Sequence, residues 1–147
     1  MGDVRDLRSA ASARRRDAHI IDDELVLAAE RSAPRTVRHW VMRAVAEAGV
    51  GGVSNQVVEL LTGELVSNAV VHGPEGGSIH VRVRIDRDDV RVDVTDEGVG
   101  APQAGHPEPT APSGRGLALV EALSSDWGTH LVPGGKTVWF EVHGEPE

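Results

Sequence analysis

The chain has 147 residues, a formal net charge of −8, 39% hydrophobic and 26% charged residues, and no cysteine. That is enough chain for one domain with a real core, in the composition of an ordinary globular protein. The acidic balance sets the surface against nucleic-acid phosphates, the missing cysteine excludes disulfides and thiolate chemistry, and no apolar run is long enough to cross a bilayer.

Residues 1 to 22 read as a flexible tail, rich in Arg, Ala, Ser and Asp without sustained apolar periodicity. Arg14-Arg15-Arg16 leads into D-A-H-I-I-D-D-E, not into an apolar stretch, so no secretion signal is expected and the cytoplasm is the expected location. One domain is expected over residues 23–144. From Glu24, the alternation of Leu25, Leu27 and Ala29 predicts a short first strand. A helix is predicted from Pro34, tolerated in a first turn, to a stop at Gly49, with Val37, Trp40, Val41, Ala44, Val45 and Ala48 as its apolar stripe. A second helix is predicted between an N-cap at Ser54 and a terminator at Gly73, burying Val57, Leu61, Leu65 and Ala69.

Two alternating runs follow, Ile79 to Ile85 and Val90 to Val94, joined by a turn over Asp86 to Asp89, which predicts a hairpin with one covered face. Residues 101–113 hold four prolines and form neither helix nor interior strand; an irregular segment of that length reads as a lid. Leu117, Val120 and Leu123 start a third helical stripe. A closing hairpin is predicted from Trp127 to Val132 and Thr137 to Val142, turning at Gly134-Gly135.

Three segments carry candidate chemistry. In E-L-V-S-N-A, Glu64 and Asn68 stand four apart on one helix, roughly 6 Å apart at Cβ. They are either a solvated pair beside the apolar stripe or a catalytic pair. In the second case Asn68 gives Mg²⁺ an oxygen ligand and Glu64 orients or deprotonates the attacking group. In D-E-G-V-G, Asp96 ends a strand before Gly98 and Gly100. The segment is either a surface turn or an adenine site, its carboxylate accepting from the amino group and rejecting the carbonyl of guanine. In G-R-G-L, Gly114 and Gly116 precede a helix, either as a chain reversal or as N–H donors for phosphate. Arg115 between them either reaches a terminal phosphate or is solvated. His72, two turns beyond Glu64, reads as a capping or packing residue, and no histidines show zinc-ligand spacing.

In this order the segments resemble the N, G1 and G2 boxes of the GHKL superfamily of gyrase, heat-shock chaperone, histidine kinase and mismatch-repair ATPases, over residues 24–142. The resemblance implies the Bergerat ATP-binding fold: an α+β two-layer sandwich, with a mixed, mostly antiparallel sheet covered on one face by about three helices. E-L-V-S-N-A-V-V-H-G is most similar to the anti-sigma-factor serine kinases of the sporulation and general-stress type. That resemblance implies ATP and Mg²⁺ as cofactors, with Asn68 on the metal and Glu64 as base. Asp96, Gly98 and Gly100 would hold adenine, Gly114 to Leu117 the phosphates, and Thr137 would assist Asp96. The better-known serine kinases carry a phosphate-contacting Arg in the lid; here Arg115 is the only candidate. A sigma factor, an anti-anti-sigma protein and a homodimer partner are implied by resemblance alone. The resulting expectation is an ATP-dependent protein serine kinase acting as an anti-sigma factor, with a nucleotide-gated binding module lacking meaningful kinase activity as the alternative.

Overall fold

Period-two patterning builds five strands that form one sheet in the computed structural model, which describes residues 20–98 and 112–144. The strands are β1 (Ile20–Ala28), β2 (Ser78–Asp86), β3 (Asp89–Asp96), β4 (Asp126–Val132) and β5 (Gly135–Val142), in the spatial order β1-β2-β3-β5-β4. The sheet expected to be mixed and mostly antiparallel is antiparallel at each of these pairings. Three helices, α1 (Ala33–Ala48), α2 (Val53–His72) and α3 (Pro112–Leu123), complete the α+β sandwich. The core lies between the layers, where Ile79, Val81, Val83, Ile85, Val90, Val92, Val94 and Phe140 meet Val37, Val41, Val45, Leu61 and Leu65.

β1 begins at Ile20, inside the predicted tail. Ile20 pairs with Asp86 and Ile21 with Ile85, so the first two residues of the strand are fixed by a partner more than sixty positions away. In α1, Gly49 has φ +82°, and its N–H bonds to Ala46 O while Val50 N–H bonds to Val45 O. These two bonds form a Schellman stop, with Val50 tucked into the core behind it. Helix α2 starts from Gly52, and Ser54, expected as its N-cap, lies in the first turn. Its buried arc is wider than one stripe: Val58, Thr62 and Val66 are buried beside Leu61, Leu65 and Ala69, because α2 packs on α1, on α3 and on the sheet.

The other face of the sheet is polar and cross-strand paired. Arg82 donates to both carboxylate oxygens of Asp22 at 2.9 and 2.8 Å, and this hydrogen bonding raises the Arg82 pKa above its ordinary value. Both partners are largely exposed, so the pair adds little stability. Arg91 is better enclosed: it donates to Asp93 at 3.1 Å and to Glu141 at 3.2 Å, and stacks 4.0 Å from the centroid of Trp139. A Cβ on Gly128, directly opposite Trp139, would fall 2.8 Å from the indole ring. Gly128→Ala is therefore expected to push the ring off Arg91 and cost about 1–3 kcal/mol. Urea unfolding followed by tryptophan fluorescence measures both the loss and the change in ring environment.

The β2–β3 turn places Arg87 at φ +61°. That conformation costs an ordinary residue roughly 1–2 kcal/mol, against the roughly 0.5–1 kcal/mol of added unfolded-state freedom that glycine brings. Arg87→Gly is accordingly expected to raise the unfolding midpoint slightly, worth about 0.5–1 kcal/mol. A lowered midpoint in thermal melts would mean that the turn is held by the Arg87 side chain.

Candidate functional site

The end of β3 meets the end of α2. Gly73 closes α2 by donating its N–H to Ala69 O at 2.9 Å, and a Cβ on Gly73 would stand 3.8 Å from the Asp96 Cβ. Asp96 faces the helices, as Val94 and Val92 do, and only 5% of its side chain is exposed. Its Oδ1 accepts from Gly98 N–H at 2.6 Å and from Lys136 Nζ at 2.8 Å. A Cβ on Gly98 would lie 2.6 Å from Lys136 Nζ, 2.9 Å from Asp96 Oδ1 and 3.0 Å from the His72 carbonyl oxygen, so a side chain there would displace the Lys136 ammonium.

Lys136 was not expected. It pairs directly with Asp96 across β3 and β5, and 9% of its side chain is exposed. The signal was present in the sequence, because Lys136 shares parity with Val138, Phe140 and Val142, all buried on the helix side. The predicted strand began one residue too late to include it. The same parity corrects the expectation for Thr137, which lies on the opposite face of the sheet. There its hydroxyl is 2.6 Å from the Thr95 hydroxyl, so it does not stand beside Asp96.

Glu64 and Asn68 are both half-buried on α2. Measured back from Gly73 at 1.5 Å per residue, Asn68 stands roughly 7 Å and Glu64 roughly 13 Å along the helix axis. Walking away from Asp96 thus meets first a carboxamide and then a carboxylate. His72 is the last, exposed residue of α2.

The G-R-G-L segment is placed differently from its expectation. Helix α3 begins at Pro112, where a missing N–H costs nothing, so Gly114, Arg115 and Gly116 stand within its first turns instead of preceding it. Leu117 is a core side chain, which leaves only its backbone for any ligand. Gly100 and residues 101–111 of the expected lid lie outside the described residues. The closing turn is shifted by one: Val132 pairs with Gly135, so Pro133 and Gly134 form it.

Residues 27–142 match the family model of the histidine kinase-like ATPase domain. The chain belongs to that family. A search of curated proteins found no match. Among solved structures, the chain is similar to the RsbU and RsbW domains of Rv1364c from Mycobacterium tuberculosis, with 27% identity and a TM-score of 0.65 over 84% of this chain. It spans 32% of the length of that chain. The catalytic domain of histidine kinase ThkA shares the fold, at 18% identity and a TM-score of 0.54, over 82% of this chain and 95% of that one.

For a histidine kinase-like ATPase domain, the donor set fits the nucleotide. Asp96 keeps a carboxylate almost out of water at a strand end, where a purine amino group would gain from it. Among the described residues no three His, Asp or Glu side chains cluster as a metal cage. Mg²⁺ takes one or two protein oxygens and fills its shell with phosphate and water, so the Asn68 carboxamide would be a sufficient protein share. Among the described residues, no helix is long and apolar enough to cross a membrane.

Proposed function

We propose that this ATP-binding domain is a Mg²⁺-dependent protein serine kinase that acts as an anti-sigma factor. It would hold a sigma factor and phosphorylate a serine on an anti-anti-sigma protein. The observation that carries this reading is the order of groups along α2. Asp96 at the base end, then Asn68, then Glu64 recede in the sequence in which ATP presents adenine, metal-bound phosphates and the γ-phosphoryl group. The similarity to a chain described as holding RsbU and RsbW domains supports it, as does the E-L-V-S-N-A resemblance.

In this reading Asp96 and Gly98 bind and orient the base, and Asn68 contributes the carboxamide oxygen to Mg²⁺. Mg-ATP, when bound, supplies an activated phosphoryl group whose charge is already partly neutralised. Glu64 aligns the serine hydroxyl and takes its proton at a carboxylate oxygen. Arg115 remains the candidate for the terminal phosphate. Incubation with γ-labelled ATP, Mg²⁺ and the anti-anti-sigma proteins of the native cell tests the proposal. Label on a partner serine is the expected result. ATP binding with no transfer to any of them would replace the kinase by a nucleotide-gated binding module. Pull-down with and without ATP tests the sigma-factor arm.

A further inference from the structure

Lys136, the one lysine of the chain, is buried with unused hydrogen-bonding capacity. An ammonium has three N–H donors and no acceptor. Among the described residues one of the three is taken, by Asp96 Oδ1 at 2.8 Å. Asp96 is in the matching condition. Its bonds from Lys136 and Gly98 both end on Oδ1, which leaves Oδ2 without a partner among the described residues. Buried donors and acceptors are nearly always satisfied, because an unpaired one out of water is costly. Here a spare donor and a spare acceptor stand side by side, on side chains 9% and 5% exposed. The direct β3–β5 pairing of Asp96 with Lys136 fixes one against the other. A ligand that completes the pair must carry a donor and an acceptor at neighbouring positions. Adenine does: its C6 amino group donates, and the ring nitrogens on either side of it, N1 and N7, accept. Guanine does not: its C6 carbonyl meets the Asp96 acceptor, and on the N1 side an N–H also meets the Lys136 donor. Thr137, whose hydroxyl is directed to Thr95 on the other face, supplies no competing neutral donor.

We propose that Lys136 is a base-reading residue. Its ammonium donates to the ring nitrogen beside the amino group of adenine, while Asp96 accepts from that amino group. The proposal rests on the reading of Asp96 as the base anchor. It concerns base recognition, not phosphoryl transfer, so binding alone can test it.

Calorimetry of wild type and Lys136→Met with ATP, 1-deaza-ATP and 7-deaza-ATP, each with Mg²⁺, provides that test, since each analogue replaces one ring nitrogen by C–H. In wild type, one of the two analogues should bind about ten- to a hundredfold more weakly than ATP, the worth of one charge-assisted hydrogen bond. In Lys136→Met, ATP itself should weaken by about that factor, and the same analogue should then bind within about threefold of ATP, because the partner of the missing nitrogen is gone. A merely structural Lys136 would instead lower the affinity for all three nucleotides alike. Lys136→Ala, which admits water beside Asp96, replaces Lys136→Met if that variant fails to fold. The proposal is overturned, and the base-anchor reading stands, if both analogues bind wild type within about threefold of ATP, or if the penalty for the analogue is the same in wild type and variant. If folded wild type binds none of the three nucleotides, the base-anchor reading fails and takes the proposal with it.

Discussion

Asp96→Ala is expected to abolish Mg-ATP binding and, at the same time, to lower the unfolding free energy by about 3–5 kcal/mol. The two effects have different causes. Binding is lost with the carboxylate that would anchor the base. Stability is lost because the Lys136 ammonium, 9% exposed, is left in the protein without its 2.8 Å partner. Removing one member of a buried pair is costly, while replacing both by apolar groups of similar volume is often neutral. The double variant Asp96→Leu/Lys136→Met should therefore regain most of the stability and none of the binding. Urea titration of wild type, Asp96→Leu, Lys136→Met and the double variant gives the coupling directly, and calorimetry reads the ligand. A loss below about 1 kcal/mol in Asp96→Ala would mean that Lys136 swings to water, as surface pairs permit.

Glu64→Gln is expected to leave Mg-ATP affinity within about threefold and to slow phosphoryl transfer by about 10²–10⁴-fold, the usual worth of a positioned general base. The substitution keeps the shape and hydrogen-bonding reach of a half-buried side chain and removes only its basicity. Single-turnover transfer with saturating ATP separates the chemical step from binding. Unchanged transfer would show that the serine hydroxyl needs no base at this position and that the carboxylate on α2 serves another purpose.

Much of this architecture was legible because it is local. The stripe of α1, its stop at Gly49 and both hairpins follow from spacings within a dozen residues. What was misread depended on distant partners. Ile20 and Ile21 become strand only through β2, and the extra buried residues of α2 reflect contact with two helices and the sheet at once. The α3 start was missed because Gly114 and Gly116 look like chain reversal, yet they are tolerated behind a proline well suited to a first turn. In the candidate site, Glu64, Asn68, Asp96 and Gly98 were picked out by type and spacing. Lys136 was lost to a strand boundary error of two residues, and Thr137 was put in its place. In a strand, an error of one position exchanges the faces, so parity matters more there than residue type.

The Asp96–Lys136 contact also joins positions forty apart in the chain, through a strand pairing that closes late. Closing so long a loop is entropically unfavourable until β3 and β5 zip together. During synthesis, the helix bearing Glu64 and Asn68 leaves the ribosome well before β5 does. A nascent polypeptide would thus carry the Asp96 carboxylate before its ammonium partner exists, and emergence of the final hairpin would neutralise that charge.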